Sequence, residues 1–304
     1  MIVIGTRGSR LALAQTEWVR DRILGCFPET EIRVDVIGTP ADRDKTTSLR
    51  SVPSAGVFVK ELEYALIRGE IDLAVHSMKD VPTLIAEGCV IAAVPEREDP
   101  RDVLVARGPL ELEHLPRGAR IGTGSFRRQA QLLALRPDLE IVDLRGNIET
   151  RIGKIATGAC DAVMLAAAGL RRLGIASRIS LLFDFGRMLP APGQGALAVE
   201  TRAGDTRVAR LAAAVHHPET ALAVTAEREF LERMGGGCNV PIAAFARPVP
   251  GGLEIEGLVA SPDGRSVVRE RVSADARTAA DAAAVLAGRI LERGAGRILE
   301  EFRA

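Results

Sequence analysis

The stretch ARIGTGSFRRQAQLLALRPDLEIVDLRGNIETRIGKIATGACDAVMLA (119–166) decides the fold. A short apolar run near 119–122 ends in a glycine-bearing turn, and an amphipathic helical pattern follows over 126–135. A second run at 139–144, a second helical pattern at 147–157 and a third run at 161–165 repeat the alternation. Strands and helices alternating over short links predict an α/β architecture, largely parallel, with helices on both sheet faces.

The same texture extends towards the N-terminus. IVIG (2–5), EIRVDVI (31–37), IDLAV (71–75), VIAAV (90–94) and VLVA (103–106) read as strands. Helical periodicity runs over 11–24, with Leu11, Ala14, Trp18 and Val19 on one face, and again over 57–68. Two proline-bearing breaks interrupt this pattern, PEREDPRD (95–102) and LPAPGQG (189–195). After about residue 218 the texture changes to a helix over 219–234, a glycine run, strands near 240–246, 253–260 and 265–273, and a helix over 277–293. That order predicts a separate α+β module. The polar segment 39–56 lacks apolar periodicity and reads as a lid over a site. No internal repeat is visible.

Composition excludes several classes. The 304 residues carry 40 basic and 40 acidic side chains, so the basic excess of a non-specific nucleic-acid binder is missing. Ten aromatic residues leave few platforms for stacking single-stranded bases. The apolar runs are too short to span a membrane, and Met1 leads into a strand without a signal peptide. Cysteines at 26, 89, 160 and 238 are too scattered for a zinc site or a CxxC pair, which points to a reducing cytoplasm. The neutral total hides a local excess, because residues 121–172 hold eight basic groups and five acidic ones.

Those extra cations sit at turns. GTGSFRRQ (122–129) offers Ser125 as a helix cap, with Arg127 and Arg128 in the first helical turn. Cations there oppose the helix dipole and call for a nearby anion. LRGNIETR (144–151) has Asn147 as cap, flanked by Arg145 and Arg151, and GTRGSR (5–10) has Ser9 as cap beside Arg7. AGLRRLG (168–174) adds Arg172. In doubly wound sheets such turns collect at the carboxyl ends of the strands, where they would read carboxylates or phosphates through guanidinium forks. HSMKDVP (76–82) puts Lys79 and Asp80 at another strand end, while His76 reads as a packed histidine. GGGCNVP (235–241) differs from the other cysteine contexts: Cys89 and Cys160 border apolar strands, whereas Cys238 follows three glycines. A thiol on such a loop is a nucleophile or an attachment point for a prosthetic group.

VHSMKDVP (75–82), EREDPRD (96–102), GTGSFRRQAQL (122–132), LRGNIETR (144–151), LPAPGQGALAVE (189–200) and GGCNVPI (236–242), in this order, resemble the hydroxymethylbilane synthase family, also called porphobilinogen deaminase. The likeness covers nearly the whole chain. It implies two periplasmic-binding-protein-like doubly wound domains, 1–98 plus 196–214 and 99–195, and a small α+β domain over 215–304. It implies a covalent dipyrromethane cofactor on Cys238, to which four porphobilinogen molecules are added with loss of ammonia before hydrolytic release of the tetrapyrrole. Asp80 matches the catalytic aspartate, with Lys79 beside it. Ser77, Lys79, Thr123, Ser125, Arg127, Arg128, Arg145 and Asn147 match cofactor contacts. Arg7, Ser9, Phe58, Arg145, Arg151, Arg172 and Gln194 match substrate contacts. No metal is implied. The expected setting is a cytoplasmic monomer that hands its product to uroporphyrinogen-III synthase, with no nucleic-acid or membrane partner.

The sequence departs from the family pattern at Ser51 and Ala55, where lysines are usual, and at Gly124 and Asn239. Two other readings compete. A non-catalytic cytoplasmic two-lobed carboxylate-binding module explains the arginine turns but gives Cys238 and the third module no task. A thiol-dependent acyl or glycosyl transferase uses Cys238 but lacks a general base beside it.

Overall fold

The computed structural model describes residues 1–38, 59–237 and 240–303. In chain order they form β1 (Ile2–Thr6), α1 (Arg10–Cys26), β2 (Ile32–Val36), α2 (Lys60–Ile67), β3 (Leu73–Ser77), β4 (Cys89–Ala93) and β5 (Asp102–Val105). Next come β6 (Arg120–Gly122), α3 (Phe126–Leu135), β7 (Glu140–Val142), α4 (Ile148–Ala156), β8 (Ala162–Ala166), α5 (Ala167–Arg172) and β9 (Leu181–Leu182). The chain continues through β10 (Leu197–Arg202), α6 (Thr206–Ala213) and α7 (Pro218–Arg233), then β11 (Ile242–Val249), β12 (Gly252–Ala260) and β13 (Val267–Ala274). It ends with α8 (Ala279–Ile290) and α9 (Gly296–Arg303).

The described strands make three sheets, ordered β2-β1-β3-β10-β4, β7-β6-β8-β5-β9 and β11-β12-β13. In the first, β1 pairs parallel with β2 and β3, whereas β10 is antiparallel to β3 and β4. The second repeats this plan, with β6 parallel to β7 and β8, and β5 antiparallel to β8 and β9. Each antiparallel strand is reached by a crossing from the other sheet, over 94–101 into β5 and over 183–196 into β10. The two sheets are therefore one topology used twice, although no sequence repeat marks it. The antiparallel strands qualify the largely parallel expectation, and β10 was not among the sequence-predicted strands.

Both sheets are covered on both faces, which explains why β1 and β3 are apolar almost throughout. In the first, Ile4, Val19, Ile23, Leu73, Val199 and Val208 pack on one side and Leu62, Leu66, Ile71 and Ala74 on the other. In the second, Ile121, Leu132, Met164 and Phe183 oppose Val163, Leu165, Ile155 and Leu170. The third sheet is an antiparallel meander whose core is Phe230, Ile255, Leu286 and Ile290. Gly257 makes room for the Phe230 ring against β12, since a Cβ there would come 2.5 Å from Cζ of that ring. The expected helix over 277–293 ends at Ile290, where a π-helical stretch broken by left-handed Gly294 turns the chain into the unpredicted α9. No described helix is long and apolar enough to cross a membrane.

Candidate active site

On the first sheet's side, Ser9 caps α1 by accepting a hydrogen bond from the Ala12 amide at 3.2 Å. The buried residues of α1 are Gln15, Thr16, Val19 and Ile23. The predicted face is thus rotated, with Leu11, Ala14 and Trp18 only partly covered. The reason is polar: the Gln15 amide turns inward and exchanges hydrogen bonds with the Ser77 hydroxyl at 2.9 and 3.3 Å. Beyond Ser77 a 3₁₀ turn over Met78–Asp80 buries Met78 and leaves Lys79 and Asp80 half-buried. Left-handed Gly193 (φ 72°) makes room for that turn, as a Cβ there would sit 2.6 Å from Met78 Cγ. His76 is buried and lies 2.9 Å from Glu200 Oε2, a packed histidine.

On the second sheet's side, Ser125 and Asn147 cap α3 and α4, accepting from the Arg128 and Thr150 amides at 3.5 and 2.8 Å. Thr123 is buried, and its hydroxyl accepts from the Ser125 amide at 3.2 Å. The anion called for by two arginines in the first turn of α3 is Asp102, which opens β5 and is fully buried. Arg127 donates to both of its carboxylate oxygens at 2.6 and 3.2 Å, and Arg128 Nε donates at 2.9 Å. Arg127 also reaches the Leu189 carbonyl at 2.7 Å, and Arg128 the Met164 carbonyl at 3.2 Å. Arg151 Nε donates to the Gly146 carbonyl at 2.8 Å, and Arg172 to the Gly195 carbonyl at 2.7 Å. Arg7 and Arg145 are partly buried at the turns that carry them.

The two sides meet. Gln194 Oε1 accepts from Lys79 and from Arg128, each at 3.5 Å, while its NH₂ donates to Asp102 at 3.0 Å and to the Pro100 carbonyl at 2.6 Å. At the mouth, Arg10 on α1 bonds Glu149 on α4 at 2.9 Å. Burial and the facing Arg128, with a smaller part from Arg127, push the Lys79 ammonium down to about 8 against the pull of Asp80 and Asp102. Burial and Arg128 likewise lower Arg151 to about 10, although Asp80 and Asp143 oppose this. Burial lowers Arg172 to about 10. For Asp102, burial alone would raise the carboxyl, but Arg127 and Arg128 hold it well below the usual range.

The third module reaches the same place. Arg228 on α7 donates to the carbonyls of Val81, Pro82 and Thr83, immediately after Asp80. Glu227, fully buried, accepts from Arg97 of the first crossing at 2.6 and 3.0 Å, from the Gly193 amide of the second at 2.6 Å and from Ala246 of β11 at 2.9 Å. Gly235, Gly236 and Gly237 follow α7 with φ of 88°, 63° and 104°, a run only glycine adopts readily. This run passes Thr83, whose hydroxyl is 3.5 Å from where a Gly236 Cβ would be. Cys238, Asn239, Phe58 and the lid segment 39–56 lie outside the described residues. Cys89 and Cys160 are buried, and burial with the nearby Glu200 and Glu63 pushes the Cys89 thiol up to about 11.

The family model described as "Porphobilinogen deaminase, dipyromethane cofactor binding domain" matches residues 2–210, and its C-terminal-domain counterpart matches 221–292. The chain belongs to the porphobilinogen deaminase family. It is 49% identical to the porphobilinogen deaminase of Syntrophus aciditrophicus, over 98% of this chain and 97% of that one. It is 46% identical to that of Thermus thermophilus, over 100% and 99%. Among solved structures it is similar to a periplasmic substrate-binding protein from Coxiella burnetii, with TM-score 0.43 and 16% identity over 75% and 97% of the two chains.

One departure from the porphobilinogen deaminase pattern has a structural reason. At Gly124 a Cβ would come 2.9 Å from the Leu144 carbonyl and 3.2 Å from Asp143, so glycine lets the turns after β6 and β7 close on each other. Sequence reasoning missed Asp102, Gln15, Arg97 and Glu227 as organisers of the site. Asp102 carried one local signal, an acid opening the apolar run VLV.

Proposed function

We propose that the chain condenses four porphobilinogen molecules head to tail on a dipyrromethane carried by Cys238, releasing ammonia at each addition and hydroxymethylbilane by hydrolysis at the end. The observation that carries this reading is the place where the two sheets' sides meet, at which the Asp80 turn faces several cations. Lys79, Arg128, Arg145 and Arg151 converge there, with Asp80 and Asp143 as counter-charges, while Asp102 is already shared by Arg127 and Arg128. Burial first, and then the facing Arg128, depress both Lys79 and Arg151, so these cations are partly desolvated and close to another positive charge, and a polycarboxylate would relieve both. The donor set therefore fits a dipyrromethane and porphobilinogen, whose pyrroles each bear two carboxylates.

When bound, the dipyrromethane supplies the free pyrrole carbon to which each unit is joined. Ser77, Lys79, Thr123, Ser125, Arg127, Arg128, Arg145 and Asn147 are the residues proposed to hold it. Arg7, Ser9, Phe58, Arg151 and Arg172 are proposed to take the acetate and propionate arms of the substrate, with capped helix N-termini adding amide donors. Departure of ammonia from porphobilinogen leaves positive charge on its pyrrole nitrogen. A fixed Asp80 carboxylate stabilises that charge in a site partly closed to water, and can accept the proton released on bond formation. Lys79 beside it would hold a carboxylate arm, and its ammonium would then return towards its ordinary pKa.

Residues 1–98 with 196–214, 99–195 and 215–304 are proposed as the three domains, consistent with β10 joining the first sheet. A monomer in the cytoplasm that passes its product to uroporphyrinogen-III synthase completes the proposal. The test is intact mass of the denatured protein, which should exceed the sequence mass by a dipyrromethane in wild type and lose the excess in Cys238→Ser. An active wild-type protein without the excess would overturn the reading.

A further inference from the structure

Gln194 is 1% exposed, and its amide is fully used. Both N–H groups are given to Pro100 and Asp102, and the oxygen receives Lys79 and Arg128. Its backbone carbonyl accepts from Arg97 Nε at 2.8 Å, and the next carbonyl, Gly195, accepts from the Glu98 amide at 3.2 Å. The residue thus sits on the return crossing, is tied to the outward crossing by main chain and side chain, and touches a cation from each side of the cleft. Asp102, at the end of the outward crossing, is fully buried and gathers Arg127, Arg128 and Gln194. Neither side chain has an unused polar atom to offer a substrate.

We propose that Asp102 and Gln194, the latter matched by the family resemblance to a substrate contact, act instead as positioning residues, which set Lys79 and Arg128 in the cleft and link their placement to the two crossings. This rests on the reading of the cleft as the porphobilinogen site. The chemistry of the amide is specific. A carboxylate at 194 would face Asp102 and the Pro100 carbonyl with no hydrogen to give, and would neutralise charge that the substrate arms need. A cation would repel Lys79 and Arg128. An apolar side chain would leave Asp102 and Pro100 each short of a donor. Only the neutral amide donates to one pair and accepts from the other while leaving the surplus charge in place.

The experiment compares wild-type holoenzyme with Gln194→Glu, Gln194→Leu and Asp102→Asn. The readouts are kcat/KM for porphobilinogen, cofactor occupancy by intact mass, and the pH midpoint for labelling of Lys79 by an amine-reactive reagent. Among the described residues, Asp80, Asp102, Arg127 and Arg128 act on the Lys79 charge. For both Gln194 variants, kcat/KM per cofactor-loaded molecule should fall about tenfold to a hundredfold, the scale of a misplaced catalytic contact. The Lys79 midpoint should rise in Gln194→Glu, which adds an anion, and fall in Gln194→Leu and Asp102→Asn, which remove an acceptor or a negative charge. A structural role alone would not send the two Gln194 variants in opposite directions. Wild-type kcat/KM in both, or lost activity with an unmoved Lys79 midpoint, would overturn the proposal. Should Asp102→Asn fail to fold, the Gln194 pair still decides. A wild-type mass without a dipyrromethane would instead overturn the reading of the cleft, and the proposal with it.

Discussion

β5 and β10 occupy the same place in their sheets, each antiparallel and each entered by a crossing from the other sheet, and each buries a carboxylate. Asp102 opens β5 opposite Ala166, the last residue of β8, so it lies at the carboxyl edge of the parallel strands. Glu200 lies deeper in β10, opposite Ala74, the second residue of β3 and three residues from its carboxyl end. The consequences differ. At the edge, helix N-termini and cations are within reach, and Asp102 gathers two guanidinium groups and an amide. Farther from that edge, Glu200 has His76 on one oxygen and, among the described residues, no hydrogen-bond partner on the other. The same topology therefore makes a site organiser in one sheet and an internal strut in the other. Distance from the carboxyl edge sets the difference.

The comparison can be broken or sharpened by four substitutions. Asp80→Asn removes the anion proposed to face the substrate, and turnover should fall by about a thousandfold or more with the melting temperature unchanged. Near-wild-type steady-state rates would detach the edge from the chemistry. Asp102→Asn strands two buried guanidinium groups and should cost about 3–5 kcal/mol in urea unfolding. The pH dependence has a definite sign. Asp102 titrates lower when folded than unfolded, so its contribution is complete above the ordinary carboxylate value of about 4 and is lost as pH falls below it. Asp102→Asn should accordingly flatten the acid side of the stability curve.

Glu200→Gln keeps the contact with His76 and should cost about 1–3 kcal/mol, with kcat per folded molecule unchanged. A fall in kcat with intact stability would mean that mid-sheet carboxylates also serve the site. Arg10→Ala breaks an exposed pair with Glu149 across the cleft mouth, and unfolding measurements should register at most about 1 kcal/mol.

Much of this was legible in the sequence. Ser9, Ser125 and Asn147 are read as caps from their positions before helical patterns, and all three accept the expected amide. The adjacent Arg127 and Arg128 demand an anion on electrostatic grounds alone. Its identity could not be read locally, because Asp102 is 25 residues away and belongs to a strand reached by a crossing. The rotated face of α1 was missed for a related reason. Gln15 looks like a surface residue until Ser77, 62 residues away, is placed beside it. β10 and α9 were missed as elements because each follows a proline-glycine or glycine break that masks a short pattern.

The sequence by itself determined the βα alternation, the capped turns with their arginines, the change of texture after about residue 218 and the motifs that carry the family. These depend on contacts within a turn or two of helix, or on residue type. The tertiary structure alone decided that one topology is used twice, that Gln194 joins Asp102 across 92 residues, and that Arg97 and Glu227 join both crossings to the third module. Those partners are chosen by strand order, and strand order is set by burial of whole faces, which no local pattern encodes.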